Sequence, residues 1–129
     1  MASPMPVHTI RLRKAWDLES PPGFRVGRID LPAPRLTLSE PFCLRRTWSA
    51  PPGLAPDETL SLRLERLFGL IRLELDGIAQ PLTTTLALPA APGRRSTLSL
   101  TCDPSALDEA HRLDWGHVSL VITRPTQTP

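Results

Sequence analysis

Tyrosine is absent from this sequence, and aromatic residues are few: three tryptophans and three phenylalanines in 129 residues. A surface that recognises its ligand by ring stacking has little to draw on. Lysine is nearly absent as well. Lys14 is the sole lysine among 15 basic residues, and the net charge is only +2. The arginines are scattered and interleaved with Glu19, Asp30, Glu65, Glu74 and Asp108. A phosphate-binding surface needs clustered charge, so nucleic acid is excluded as a partner. No apolar run is long enough for a transmembrane helix, which removes the membrane as a partner. The opening residues "MASPMPVHTIRLRK" lack the apolar core of a signal peptide, and the chain is read as cytoplasmic.

Cysteine is limited to Cys43 and Cys102. Both sit inside apolar runs, without CxxC spacing or a nearby histidine pair. They are expected as buried free thiols and not as zinc ligands. The signatures of common chemistry are missing too. His8, His111 and His117 form no HExxH or similar cluster, no serine lies in a GxSxG elbow, and no glycine-rich phosphate loop occurs. Glycoside hydrolysis needs two carboxylates roughly 5–9.5 Å apart across a sugar, and no motif marks such a pair. Asp103 and Asp114 are candidate calcium ligands, but nothing brings them together. The expectation is a protein without catalytic residues, cofactor or metal.

Proline and glycine are plentiful, at 16 and 7 residues, and cut the chain into short segments. Within these segments apolar residues recur at every second position. Leu60, Leu62 and Leu64 alternate with Ser61, Arg63 and Glu65. Ile71, Leu73 and Leu75 alternate with Arg72, Glu74 and Asp76. Leu98, Leu100 and Cys102 alternate with Thr97, Ser99 and Thr101, and Val118, Leu120 and Ile122 with Ser119 and Val121. A period of two marks half-buried antiparallel strands. Further strands are expected over 8–18, 24–29, 42–48 and 83–88. About eight strands punctuated by turns predict an all-β, two-sheet antiparallel sandwich or jelly roll. One domain spans 1–129, with fraying expected at 1–6 and 124–129.

Three local expectations follow. A short helix is expected over 104–112, with Asp103 as N-cap and Pro104 at its first position. Arg63 and Glu65 are expected to pair across strands with Arg72 and Glu74. The apolar run from Leu67 to Ile71 reads as a buried turn between strands, or as a partner surface.

The motifs "FCLRRTWSAPPG", "LRL" at Leu62 and "LELDG" at Leu73 resemble, in order, those of the sugar-binding jelly-roll domain of family 2 glycoside hydrolases. "GRRSTLSLTCD" and "LDWGHVSLVI" continue the resemblance, and Trp16 is similar to an early tryptophan of such domains. The resemblance implies a galactose-binding-domain-like fold. It supplies no catalytic residue, because the catalytic glutamates of that family lie in a separate barrel. Asp76 stands where the family has asparagine and Glu74 where it has an aromatic residue; an Asp-Gly pair still suits a type I′ hairpin.

The candidate ligand site follows from these readings. Trp16, Phe42 and Trp48 are expected in the core. Trp115, between Asp114, Gly116 and His117, is the aromatic expected to be exposed. Asp114, Trp115 and His117, with Arg45 or Arg46, form the candidate patch for a carbohydrate. The competing reading is a structural or protein-interaction subunit, with a homo-oligomer allowed. Alternation puts Arg46 with Leu44 and Trp48, facing inward, and Arg45 with Cys43 and Thr47. An inward guanidinium needs a carboxylate (Asp17, Glu40 or Asp114) or backbone carbonyls to offset its desolvation.

Overall fold

A computed structural model of the chain describes residues 4–52, 54–89, 91 and 93–125, with side chains described from His8 to Arg124. Its strands are β1 (Pro4–Arg11), β2 (Trp16–Glu19), β3 (Arg25–Ile29), β4 (Ala33–Arg35), β5 (Phe42–Ser49) and β6 (Thr59–Glu65). They continue with β7 (Leu70–Leu75), β8 (Ile78–Gln80), β9 (Thr85–Leu88) and β10 (Arg95–Cys102). A single helical turn α1 (Glu109–Arg112), β11 (Leu113–Trp115) and β12 (His117–Pro125) complete the order. The architecture is an all-β antiparallel sandwich. One sheet has four strands in the order β1-β12-β6-β9, the other six in the order β3-β2-β5-β10-β7-β8, and β11 pairs with β4 beside them.

The period-two runs place the core. Leu60, Leu62 and Leu64 of β6 and Val118, Leu120 and Ile122 of β12 are buried on the inner face of the four-stranded sheet. They meet Trp16, Phe42, Leu44, Trp48, Leu73, Leu98, Leu100 and Cys102 of the other sheet in one cluster. Burying a leucine such as Leu62 or Leu100 contributes about 1.5–3 kcal/mol. Trp16, Trp48 and Phe42 are core residues as expected, and both cysteines are buried and free.

Several expectations are corrected. The strand expected over 8–18 is two strands in different sheets. The chain leaves β1 after Arg11 and crosses the sandwich, with Ala15 at φ 65 just before β2. β6 and β7 also lie in different sheets, so Arg63 and Glu65 do not face Arg72 and Glu74. The ions pair along their own strands instead, Arg63 with Glu65 at 3.9 Å and Arg72 with Glu74 at 2.6 Å. Alternation fails at Ile71, which is 58% exposed, because a bulge in the β7–β10 pairing hands the inward position to Leu70. Helix α1 is capped by Asp108 and not Asp103. Asp103 Oδ1 instead accepts from the Ser105 backbone N–H at 3.1 Å, and Leu107 N–H donates to the Pro104 carbonyl, so the chain turns before the helix begins. At the ends, β1 and β12 pair as far as Pro4 and Pro125 where fraying was expected; residues 1–3 and 126–129 lie outside the described residues.

The Asp76-Gly77 hairpin forms as expected. Leu75 pairs with Ile78, and φ values of 52 and 79 at the two turn residues fit a type I′ turn.

Candidate functional site

The patch expected from the sequence does not assemble. Trp115 is fully buried: its Nε1–H donates to the Phe68 carbonyl at 2.9 Å and its ring meets Phe42 edge-on at 5.7 Å. It offers no face to a sugar. Asp114 and His117 lie at the β11–β12 corner, where His117 Nε2 sits 3.0 Å from Asp114 Oδ2. Arg45 is elsewhere, on the outer face of the six-stranded sheet, its Nε donating to Glu19 at 2.7 Å. Arg46 is half-buried, as expected, and its Nε donates to the Lys14 carbonyl at 2.7 Å while Nη1 reaches the Thr47 carbonyl. Backbone carbonyls, and none of the three carboxylates considered, satisfy this guanidinium.

That outer face carries an ordered polar row. Register places Arg28, Asp17, Arg45, Ser99 and Glu74 side by side across five strands. Asp17 sits 3.2 Å from Arg25 and 3.3 Å from Arg28. Such half-exposed pairs contribute little stability and fix register and orientation instead.

A concavity lies at the end of the sandwich where β6 turns into β7. It is an open cleft of about 510 Å³. Leu64, Leu67, Phe68 and Leu70 form one wall, Leu82, Thr83 and Thr84 the other, and the charged Glu65 and Arg66 stand among them. The volume falls within the range of small-ligand pockets, roughly 300–1,000 Å³.

Both walls are held by backbone bonds. Arg66 adopts φ 55, which swings the chain out of β6, and its carbonyl accepts from Gly116 N–H at 3.0 Å. Its guanidinium donates through Nε to the Asp114 carbonyl at 2.9 Å and through Nη2 to the Leu113 carbonyl at 2.7 Å. The same group lies 5.1 Å above the Phe68 ring, which also meets the His111 imidazole edge-on at 4.6 Å. Gly69 pins the turn to the end of β10: Asp103 N–H donates to its carbonyl at 2.8 Å, and a Cβ there would come within 2.7 Å of the Asp103 carbonyl oxygen. The far wall is fixed by Leu64 N–H donating to the Thr84 carbonyl at 2.8 Å and Thr83 Oγ1 donating to the Thr85 carbonyl at 3.0 Å. Leu82 is 57% exposed at the mouth.

A second guanidinium supports the neighbouring corner. Arg112 donates to the carbonyls of Leu36, Leu38, Pro104 and Leu107, at 3.3, 2.6, 2.7 and 3.3 Å. It ties α1 to the loop after β4. Neither Arg66 nor Arg112 stands out in the sequence, because both Arg66 acceptors and two of the four Arg112 acceptors are carbonyls 47 to 76 residues away. The run from Leu67 to Ile71 did carry a signal, as an apolar segment around a glycine.

The two thiols are not activated. Burial pushes the Cys102 thiol up to about 12, and burial also raises Cys43 despite the Arg45 charge beside it. Thiols held protonated are poor nucleophiles. Asp108 is held below the usual carboxylate range by the His111 backbone N–H, and Asp103 by its bonds to Ser105. Among the described residues no group of three or more His, Cys, Asp or Glu is placed to share a metal ion, and no helix is long and apolar enough to cross a membrane. Neither a protein-family model nor a curated protein matches the chain.

Proposed function

We propose that this chain is a non-catalytic β-sandwich binding module whose recognition surface is the apolar cleft at the β6–β7 turn. One observation carries the reading. The cleft has a volume of about 510 Å³, in the range of small-ligand pockets, and its leucine-rich walls are fixed by backbone hydrogen bonds, so a ligand meets a preformed surface. Stacking of a sugar on a tryptophan has no support, since Trp16, Trp48 and Trp115 are all in the core. Ligand-observed NMR with apolar fragments, on the native protein and on Leu82→Asp, tests the cleft reading. Fragment binding that is lost in the variant supports the cleft; binding unaffected by the variant overturns it.

The carbohydrate reading keeps one structural support. Arg45 is half-exposed and held by Glu19 amid the hydroxyls of Thr47, Thr97, Ser99 and Thr101, and fixed polar groups of this kind suit sugar hydroxyls. The resemblance to family 2 sugar-binding domains points the same way. A glycan array distinguishes the two: retention of a glycan that is lost in Arg45→Ala favours the outer face over the cleft.

A further inference from the structure

We propose that the cleft takes a small ligand with an apolar body and a single carboxylate, and that Arg66 is the anchor for that carboxylate; this rests on the cleft being the binding surface. Three observations converge. First, the Arg66 guanidinium is positioned before any ligand arrives, by two backbone carbonyls at 2.9 and 2.7 Å and by the Phe68 ring beneath it. A planar guanidinium fixed in this way meets a carboxylate without further loss of side-chain freedom. Second, its hydrogen-bonding capacity is only partly used. Nε and one N–H of Nη2 are engaged, and among the described residues both N–H groups of Nη1 and the second of Nη2 have no acceptor.

Third, its charge is weakly countered. The nearest carboxylate, Asp114, lies 3.9 Å away and has His117 Nε2 closer, at 3.0 Å. The other acidic residue at the cleft, Glu65, belongs to the outward set of β6 and sits 3.9 Å from Arg63 of the same face. Its charge is thereby shared with Arg63, and Arg66 is the cationic side chain at the apolar walls. The side chain of Arg66 lines the cleft and is 39% exposed, so it remains open to a ligand from solvent. A cationic ligand would place its charge against this guanidinium.

The test holds the apolar body constant and changes only the head group. Isothermal titration calorimetry of the native protein at low salt compares 4-phenylbutanoate, 4-phenylbutan-1-ol and 4-phenylbutylammonium. The expected order is carboxylate tightest, by about tenfold over the alcohol, with the ammonium weakest. In Arg66→Gln the carboxylate falls to the level of the alcohol. If that variant is unfolded by circular dichroism, the head-group order in the native protein and its collapse in 0.5 M salt decide the matter alone. Equal affinity for all three, or a preference for the ammonium, overturns the carboxylate proposal and leaves the cleft standing as an apolar site. Failure of all three to bind overturns both.

Discussion

The Trp115 indole N–H donates to the Phe68 carbonyl at 2.9 Å, so the residue that looked most available to a ligand is instead a brace for the cleft wall. Its ring is fully buried against Phe42. Trp115→Phe is expected to cost about 1–3 kcal/mol, because it leaves the Phe68 carbonyl without its donor. Trp115→Ala is expected to cost about 3–5 kcal/mol through the cavity it opens. Urea denaturation checks both values. A Trp115→Ala protein of native stability would return this residue to the surface.

Arg112, the last residue of α1, gathers four carbonyls from the two loops that flank it in space, at Leu36 and Leu38 and at Pro104 and Leu107. Arg112→Met keeps the length and removes every donor. The expected loss is about 2–3 kcal/mol, with Arg112→Lys intermediate because an ammonium reaches fewer of the four. Denaturant midpoints of the two variants should fall in that order.

Gly69→Ala combines two strains. Its φ of 85 disfavours a side chain, and the new Cβ would meet the Asp103 carbonyl oxygen at 2.7 Å. The expected loss is about 2–3 kcal/mol, read from the thermal midpoint. Alanine at Gly23, where among the described residues nothing beyond its chain neighbours lies within 4 Å of the added Cβ, carries the φ strain alone and should cost less.

Stability is expected to fall at both pH extremes. Asp108 and Asp103 have folded pKa values lowered from 3.8. A carboxyl lowered on folding contributes stability that is present above its unfolded value and lost as pH falls through the folded one. Asp108→Asn keeps an N-capping oxygen but cannot titrate, so its melting temperature should decline less steeply than that of the native protein below pH 4. The thiols have the opposite sign. Cys43 and Cys102 are raised from 9.0, so they favour the fold below that pH and the advantage is lost as pH rises through the folded values. Iodoacetamide at pH 8 should modify neither thiol until denaturant is added.

The strands and most of their inward faces were legible in the sequence because a period of two is local. Leu60, Leu62 and Leu64, or Leu98 and Leu100, declare their face to any reader. Sheet membership was not legible. "RLFGLI" reads as a hairpin joining neighbours, yet the chain crosses there from one sheet to the other. Ile71 misled for a related reason, since a bulge is set by the partner strand as much as by the strand that bears it. The half-burial of Arg46 followed from alternation, but its acceptor, the Lys14 carbonyl, is a long-range backbone group that no side-chain pattern announces. The cleft was half legible. Leu67 to Ile71 stood out as an apolar run, whereas the opposing wall, Leu82 to Thr84, becomes a wall only through pairing with Leu64.

The most direct test of the cleft as recognition surface is a chemical-shift map. A uniformly nitrogen-15-labelled sample is titrated with a phenyl-bearing carboxylate, and amide shifts are followed along the chain. The account predicts saturable changes gathered on residues Leu64 to Leu70 and Leu82 to Thr84. Changes centred instead on Arg45, Ser99 and Glu74, or spread without saturation over the whole surface, would contradict it.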